Sequence, residues 1–365
     1  MPKLRVGLLF GGRSVEHEVS ISSARSIFQA LDRDRYDISL VEIDYSGHWY
    51  LREPDAFSAK ESEKGMEVSL APVPGLAALV PTADPSQPAI ALDVIFPIIH
   101  GRNGEDGTLQ GLLELKEIPY VGSGVLSSAA QMDKDIAKKL LAQAALPVVP
   151  WLTFRRHELE GDRRQAAESE VGMQLGYPVF VKPANSGSSV GISKVKDRES
   201  LAAALDEALR HDDKLIVERG LDAREIEVAV LGDEVPEASV PGEIKPSHEF
   251  YDYEAKYLDN STDLLIPAPL SDERSARLRE MATEAFRALD AAGMARVDFL
   301  IDRASDEIYI NELNSLPGFT DVSMYAQLWQ ATGLPMNELL DRLVDLALKR
   351  NQRRRGFQRR FSGDS

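Results

Sequence analysis

The stretch VDFLIDRASDEIYINELNSLPGF, Val297 to Phe319, decides the fold. Ile308 and Ile310 open a strand that reads as buried, yet the next positions of the same parity are Glu312 and Asn314. A carboxylate on a buried face is costly unless a charge compensates it. Upstream, Val297 to Ile301 forms a second apolar strand interrupted by Asp298, and the polar Asp302 to Glu307 segment reads as the turn of a hairpin. With Asp298 across from Glu312, Asp302 faces Ile308 and the turn is Arg303 to Glu307; a slip of one residue would send one carboxylate to the other face. Asp298, Glu312 and Asn314 offer hard oxygen donors with no His or Cys beside them, which favours Mg²⁺ or Mn²⁺ over zinc, with phosphates completing the shell. Strand-end acids in solvent are the plain alternative. Against it stands the following turn NSLPGF, where the Gly318 N–H can approach a ligand closely.

Four other stretches carry chemistry. In VFVKPANSGSSVGISKV, Lys182 on a strand precedes a Gly/Ser-rich turn, Ser186 to Gly191, whose N–H groups and hydroxyls, those of Ser188 and Ser189 among them, can fold over phosphates. No Gly-Lys-Ser/Thr follows, so it is not a Walker A loop, and a flexible hairpin tip stays open as a reading. LIVERGLDAREIEVAV sets Glu218 at a strand end and Glu225 before the next strand, where carboxylates can accept from adenine or ribose groups or lie as exposed edge charges. HGRNGEDGTLQG follows the strand Val94 to Ile98 as an anion-friendly loop before a helix; His100 there is an acid/base candidate or a satisfied structural histidine. GLLFGGRSVEHEVS has a strand, a glycine turn and Glu16. Neither this stretch nor VGSGVLS has GxGxxG spacing, which argues against a dinucleotide enzyme.

The chain of 365 residues, 43% apolar, is long enough for two or three domains. It has no cysteine, which excludes disulfides, thiolate catalysis and Cys-ligated metals and suits a cytoplasmic protein. The apolar run in MPKLRVGLLF ends at Gly11–Gly12, far short of a bilayer, and reads as a first strand; no membrane association is expected. A net charge of −17 argues against nucleic acid as a partner but not against a small anion. One lysine about 4 Å from a phosphate gains about 4 kcal/mol at an effective dielectric near 20, so a few placed cations outweigh the global sign.

Strands at Val6 to Phe10, Ile38 to Ile43 and Val94 to Ile98 with a helix after Ser20 predict a parallel α/β layer over residues 1–130, with Arg52 to Pro88 as a peripheral insertion. Asp133 caps a helix whose apolar face is Ile136, Leu140, Leu141 and Ala144. A small α+β unit over 131–225 and a third unit over 226–350 follow. The latter holds a long loop, Pro246 to Thr262, read as a lid, a helix from Asp272 to Ala292 stopped by Gly293, the opening hairpin, and helices at Asp321 to Thr332 and Pro335 to Arg350. Residues 351–365 read as a disordered basic tail.

Lys134 in a helix, Lys182 before a Gly/Ser loop, VERG, then Asp298, Glu312 and Asn314 across a hairpin resembles the ATP-grasp fold. With GGRSVEHEVS, HGRNGEDGTLQG, YVGSG, MDK, GSSVG, FYDYEAKYL, RVDFLID and NELNSLPGFT in that order from about Leu4 to Leu348, the chain is similar to the D-alanine:D-alanine ligases. The resemblance implies an N-terminal parallel-sheet domain followed by a two-lobed ATP-grasp fold, and a homodimer. It also implies phosphorylation of one D-alanine by ATP and attack by the amine of a second, for peptidoglycan precursors. Lys134, Lys182 and Lys256 would contact the phosphates with the Ser189 loop, and Glu218 and Glu225 the nucleoside. Asp298, Glu312 and Asn314 would hold two Mg²⁺ or Mn²⁺ ions. Glu16 would anchor the first ammonium, linked to Ser188 and Tyr257, and His100 would lie nearby. Arg296 and the Gly318 N–H would form the oxyanion hole, with Ser323 and Met324 at the second carboxylate. Relatives that join D-lactate usually lack the tyrosine of EAKYL, so Tyr257 favours an amine as second substrate. A carboxylate–amine ligase of the same fold with other substrates would lack the Glu16, Ser188 and Tyr257 set.

Overall fold

The computed structural model describes residues 2–57, 65–84, 86–245, 263–320 and 322–357. Three sheets follow one another along the chain. The first comprises β1 (Leu4–Gly11), β2 (Tyr36–Ile43), β3 (Trp49–Arg52), β4 (Met66–Leu70), β5 (Ala78–Pro81), β6 (Ile90–Ala91) and β7 (Val94–Pro97), in the order β6-β5-β4-β3-β2-β1-β7. β1 is parallel to both β2 and β7, with Leu8 paired to Leu40 and to Phe96. A parallel strand covered on both faces reads as an unbroken apolar run. Accordingly Leu8 and Phe10 enter one core with Ala24 and Ile27 of α1 (His17–Ala30), while Leu9 enters the opposite core with Val41 and Leu79. The expectation of a peripheral insertion over Arg52 to Pro88 is corrected. β4 and β5 extend the same sheet antiparallel, and Val68 and Leu79 are buried in its core.

After this sheet come α2 (Thr108–Leu115), α3 (Val125–Met132) and α4 (Lys134–Gln143). Asp133 caps α4, accepting from the Ile136 N–H at 3.1 Å. The helix is turned relative to the expected apolar face. Ala137 and Leu141 are buried, Ile136 and Leu140 are exposed, and the inward position next to Ala137 belongs to Lys138.

The second sheet, β8 (Trp151–Arg155), β9 (Val179–Pro183), β10 (Ser193–Val195) and β11 (Lys214–Arg219), has the order β10-β9-β11-β8 and is antiparallel throughout. Val171 of α5 (Asp162–Gln174) and Leu201 and Leu205 of α6 (Arg198–Ala208) pack on its Val179, Val181, Leu215 and Val217.

The third sheet contains β12 (Ala223–Gly232), β13 (Glu237–Ala238), β14 (Gly242–Lys245), β15 (Asp263–Leu265), β16 (Gly293–Asp302) and β17 (Ile308–Asn314), in the order β15-β14-β12-β16-β17 with β13 on β12. The expected border between residues 225 and 226 thus falls inside a strand. Ile226, Val228, Val297 and Phe299 pack on α7 (Asp272–Ala288). That helix ends short of Ala292, and Gly293 opens β16 rather than stopping it. The other face is apolar at one end, where Ala229, Leu231 and Met294 meet α8 (Met324–Thr332) and α9 (Met336–Arg355), helices that also pack against β1 and α1. At its other end it is polar. α8 begins at Met324 rather than Asp321, and α9 runs five residues into the expected tail, because Arg350, Arg353, Arg354 and Arg355 all find partners. Among the described residues no helix is long and apolar enough to cross a membrane.

Candidate active site

The polar end of the third sheet is built by a bulge. β16 and β17 pair Arg296 with Asn314 and Asp298 with Glu312, but the next pair is Phe299 with Ile310, which leaves Asn311 as an extra residue. An extra residue in one strand reverses the facing of everything beyond it. Ile310 therefore enters the core while Glu312, two positions on, faces out of it, which resolves the parity conflict in the sequence. The expected register beyond the acids is corrected: Ile301 faces Ile308, and Asp302 donates its N–H to the Glu307 carbonyl at 3.0 Å.

Across β16 from this hairpin, β12 pairs Glu227 with Asp298. The Arg296 guanidinium spans the Asp298 carboxylate with contacts of 2.7 and 2.8 Å and lies 3.0 Å from Glu227, and the Asn314 amide is 3.0 Å from Asp298. Glu227, only 5% exposed, was not singled out in the sequence, although its parity with Glu225 in REIEVAV was available. The three expected metal donors are thus neighbours on one face. Among the described residues no set of three or more His, Cys, Asp or Glu side chains forms a metal cage. Two carboxylates and a carboxamide suit an ion such as Mg²⁺ or Mn²⁺ that takes its remaining ligands from phosphates and water.

Cations converge on the same edge. Lys134 Nζ is 2.9 Å from the Ser186 carbonyl and 3.3 Å from Glu312, which ties α4, the Gly/Ser loop and the hairpin together. Lys182 Nζ donates to Glu218 Oε2 at 2.5 Å, and Lys138 pairs with the other oxygen of the same carboxylate. Burial acts to raise the Glu218 pKa, but the two lysines outweigh it and hold the carboxyl below its usual range. For Lys182, burial opposes the charge and Glu218 overrides it, so its pKa is raised.

Two cavities meet here. The larger, about 1060 Å³, is lined by Phe180, Lys182, Lys194, Glu218, Glu225 and Asn311; the smaller, about 160 Å³, by Glu16, His100, Ser188, Arg296, Gly318, Ser323 and Met324. Lys134, Ser189 and Glu312 belong to both walls. The larger volume matches the upper range for small-molecule sites.

In the smaller cavity Glu16 accepts a hydrogen bond from Ser188, joining the first glycine turn to the Gly/Ser loop. Two glycines make room for it. A Cβ at Gly101, where φ is +72°, would stand 2.5 Å from Glu16 Oε2, and one at Gly187 3.0 Å. Ser188 and Ser189 hold φ of 47° and 59°, a conformation uncommon for residues with a Cβ and concentrated at functional loops.

Glu105 was missed in the sequence, though it lies in the same HGRNGEDG motif as His100. It accepts from the Gly101 N–H at 2.7 Å and the Leu316 N–H at 3.0 Å, and burial together with Glu16 pushes its pKa up to about 7. His100, which lines the smaller cavity, is also a brace. Its Nδ1 lies 3.0 Å from the Leu316 carbonyl, which can only accept, so Nδ1 carries the proton and Nε2 accepts from Ser23 at 3.2 Å. Burial lowers its pKa, against the opposing pull of Glu16 and of the Leu316 carbonyl. Ser23 in turn accepts the Phe319 N–H at 3.1 Å, so the whole NSLPGF turn is pinned to the first sheet. Within that turn a Cβ at Gly318 would lie 2.8 Å from Ser323 Oγ. Lys256, Tyr257 and the expected lid lie outside the described residues.

Residues 5–123 match the family described as D-ala D-ala ligase N-terminus, and residues 140–345 match D-ala D-ala ligase C-terminus. Over 352 residues the chain is 52% identical to a D-alanine–D-alanine ligase of Heliobacterium modesticaldum, covering 96% of each chain. It is 49% identical to D-alanine–D-alanine ligase A of Chromobacterium violaceum, covering 96% of this chain and 97% of that one. Among solved structures, the D-alanine–D-alanine ligase from Coxiella burnetii superposes with a TM-score of 0.85 at 37% identity, over 97% of both chains. The VanG D-Ala:D-Ser ligase from Enterococcus faecalis gives 0.84 at 36%, over 95% of this chain and 100% of that one.

Proposed function

The chain belongs to the D-alanine–D-alanine ligase family, and from that premise we propose a division of labour between its two joined cavities. The protein forms D-alanyl-D-alanine from two D-alanines at the expense of ATP. In the proposed reading the larger cavity takes ATP, with Glu218 and Glu225 on the nucleoside side and Lys134, Lys182 and the Ser189 loop on the phosphates. Lys256 would complete the phosphate contacts. Asp298, Glu312 and Asn314 would hold two Mg²⁺ or Mn²⁺ ions, which supply charge neutralisation around the transferred phosphoryl group.

The first D-alanine sits in the smaller cavity with its ammonium on Glu16. A free carboxylate is a poor electrophile, so one of its oxygens takes the γ-phosphoryl group and ADP departs. The amine of the second D-alanine then attacks the acyl carbon, loses a proton and expels phosphate. Arg296 and the Gly318 N–H face the oxygen that becomes anionic during that attack, where pre-aimed donors contribute most. Ser323 and Met324 receive the second carboxylate. Ser188 is held by Glu16, and Tyr257 would join that link. His100 and Glu105 also line the smaller cavity, and both hold the turn that carries Gly318.

The observation that carries the reading is the shared wall: Lys134, Ser189 and Glu312 line both cavities, so a phosphoryl group delivered from one reaches a carboxylate in the other. We assign the product to peptidoglycan precursor synthesis in the cytoplasm, by a homodimer. The test is product identification after incubation with ATP, Mg²⁺ and D-alanine, with D-lactate, D-serine and L-alanine as competitors. D-Alanyl-D-alanine, ADP and phosphate in equal amounts are expected. Phosphate release independent of D-alanine, or preferred formation of a mixed product, would overturn it.

A further inference from the structure

Lys138 is the one member of the lysine–glutamate cluster that the scheme above does not use. It sits one turn after Lys134 on α4 and is 2% exposed, as is Glu218, with which it pairs. Its Nζ also lies 3.5 Å from the Val149 carbonyl and 5.7 Å from the centre of the Trp151 ring. The two lysines on Glu218 are not equivalent. Lys182 lines the larger cavity with a side chain 13% exposed, whereas Lys138 is sealed behind the carboxylate and lines neither cavity.

We propose that Lys138 is a positioning residue: the resident counter-ion of Glu218, which keeps that buried carboxylate compensated while Lys182 turns from it to the polyphosphate of the nucleotide. The inference rests on the nucleotide reading of the larger cavity. Removing one partner of a buried ion pair is strongly unfavourable because it strands the other charge. If Lys182 were the sole partner of Glu218, each nucleotide bound would have to offset that penalty. With Lys138 fixed on the second oxygen, Glu218 stays paired and Lys182 is released at low cost. The helix spacing makes this economical, since residues four apart face the same way, and one turn of α4 supplies both Lys134 for Glu312 and Lys138 for Glu218.

The experiment measures ADP and ATP affinity by calorimetry, with steady-state kinetics, for Lys138→Met, Glu218→Gln and the double variant. Lys138→Met is expected to weaken nucleotide binding and raise the KM for ATP by roughly 100-fold or more, the scale of an uncompensated buried charge, with the D-alanine KM little changed. In the Glu218→Gln background, where no buried carboxylate is left to compensate, the same substitution should cost under about 3-fold. An equal cost in both backgrounds, or equal losses in the KM of nucleotide and of D-alanine, would make Lys138 merely structural and overturn the proposal. Should Lys138→Met not fold, the structure of the unaltered chain with ADP decides. Lys138 is expected still on Glu218 and Lys182 on a phosphate; Lys182 remaining on Glu218, or Lys138 departing, refutes the idea. Failure of the unaltered chain to bind ADP would instead overturn the nucleotide reading itself, and this inference with it.

Discussion

Glu312 is the residue on which both cavities turn. It contacts Lys134 with a side chain 27% exposed, so its pairing energy is that of a half-solvated ion pair, about 1 kcal/mol or less. Its chemistry is another matter, because the proposed ions need its charge. Glu312→Gln should keep its unfolding midpoint near the parent value while Mn²⁺ titration in the presence of ADP shows weakened binding and turnover falls by about 100-fold or more. Unaltered Mn²⁺ affinity would remove Glu312 from the metal site. Glu105 sets a different residue-scale expectation. Its pKa is raised to about 7 in the folded chain from an unfolded value of 4.5. The folded state therefore holds the proton more tightly. Its contribution is fully present below pH 4.5 and is lost as pH rises through 7, on the order of 3 kcal/mol in total. Denaturant midpoints of the parent and of Glu105→Gln between pH 4.5 and 8 should diverge in slope, the parent losing more. Parallel profiles would show that Glu105 does not titrate in this window.

At the scale of elements, the hairpin of β16 and β17 explains what was legible in the sequence and what was not. Asp298 and Glu312 interrupt apolar runs, and that interruption alone locates the polar face. The bulge is silent, because Asn311 suits either a regular strand or an extra residue, so the register beyond Glu312 could not be counted from periodicity. Glu227 was hidden by its apolar neighbours. Lys138 was hidden because a lysine four residues from another reads as a solvated helix face, and only its packing against Glu218 shows otherwise. The candidate stretches recognised in the sequence are those whose motifs are contiguous; Glu105, whose partners Leu316 and Ser315 come from the far end of the chain, became legible only in three dimensions. Deleting Asn311 is the sharpest test of the bulge. It should restore strict alternation and drive Glu312 and Asn314 toward α7 or Ile308 and Ile310 out of the core, costing several kcal/mol and abolishing turnover. A deletion variant that unfolds at the parent midpoint and retains activity would show that the bulge does not set the facing of the acids.

For the whole molecule, the question is what holds the first sheet against the third, since Glu16 comes from one and Asp298 from the other. The shared core of β1, α1, α8 and α9 does most of this, and a rim of arginines closes it. Arg350 donates to the Gly122 carbonyl at 2.5 Å and the Tyr120 carbonyl at 2.8 Å, with its guanidinium 4.9 Å from the centre of the Tyr120 ring. Arg353 reaches Asp233 and Glu234 in the turn that follows β12, and Arg354 pairs with Glu114 of α2. Arg353 and Arg354, which open the segment read in isolation as a basic tail, are thus matched to acids on both sides, in a chain whose net charge is −17. The exposed pairs are each worth about 1 kcal/mol or less and weaken with salt. Arg350 differs, because its charge-assisted bonds go to half-buried carbonyls that have no other described side-chain donor to turn to. Arg350→Ala should therefore lower stability by about 2 kcal/mol, while Arg354→Ala costs under about 1 kcal/mol and loses even that in 1 M salt. Urea unfolding of both variants at low and high salt checks the ordering. Equal costs for the two, or a loss at Arg350 that disappears in salt, would mean that screened surface charge rather than hydrogen bonding to the first sheet fixes the end of α9.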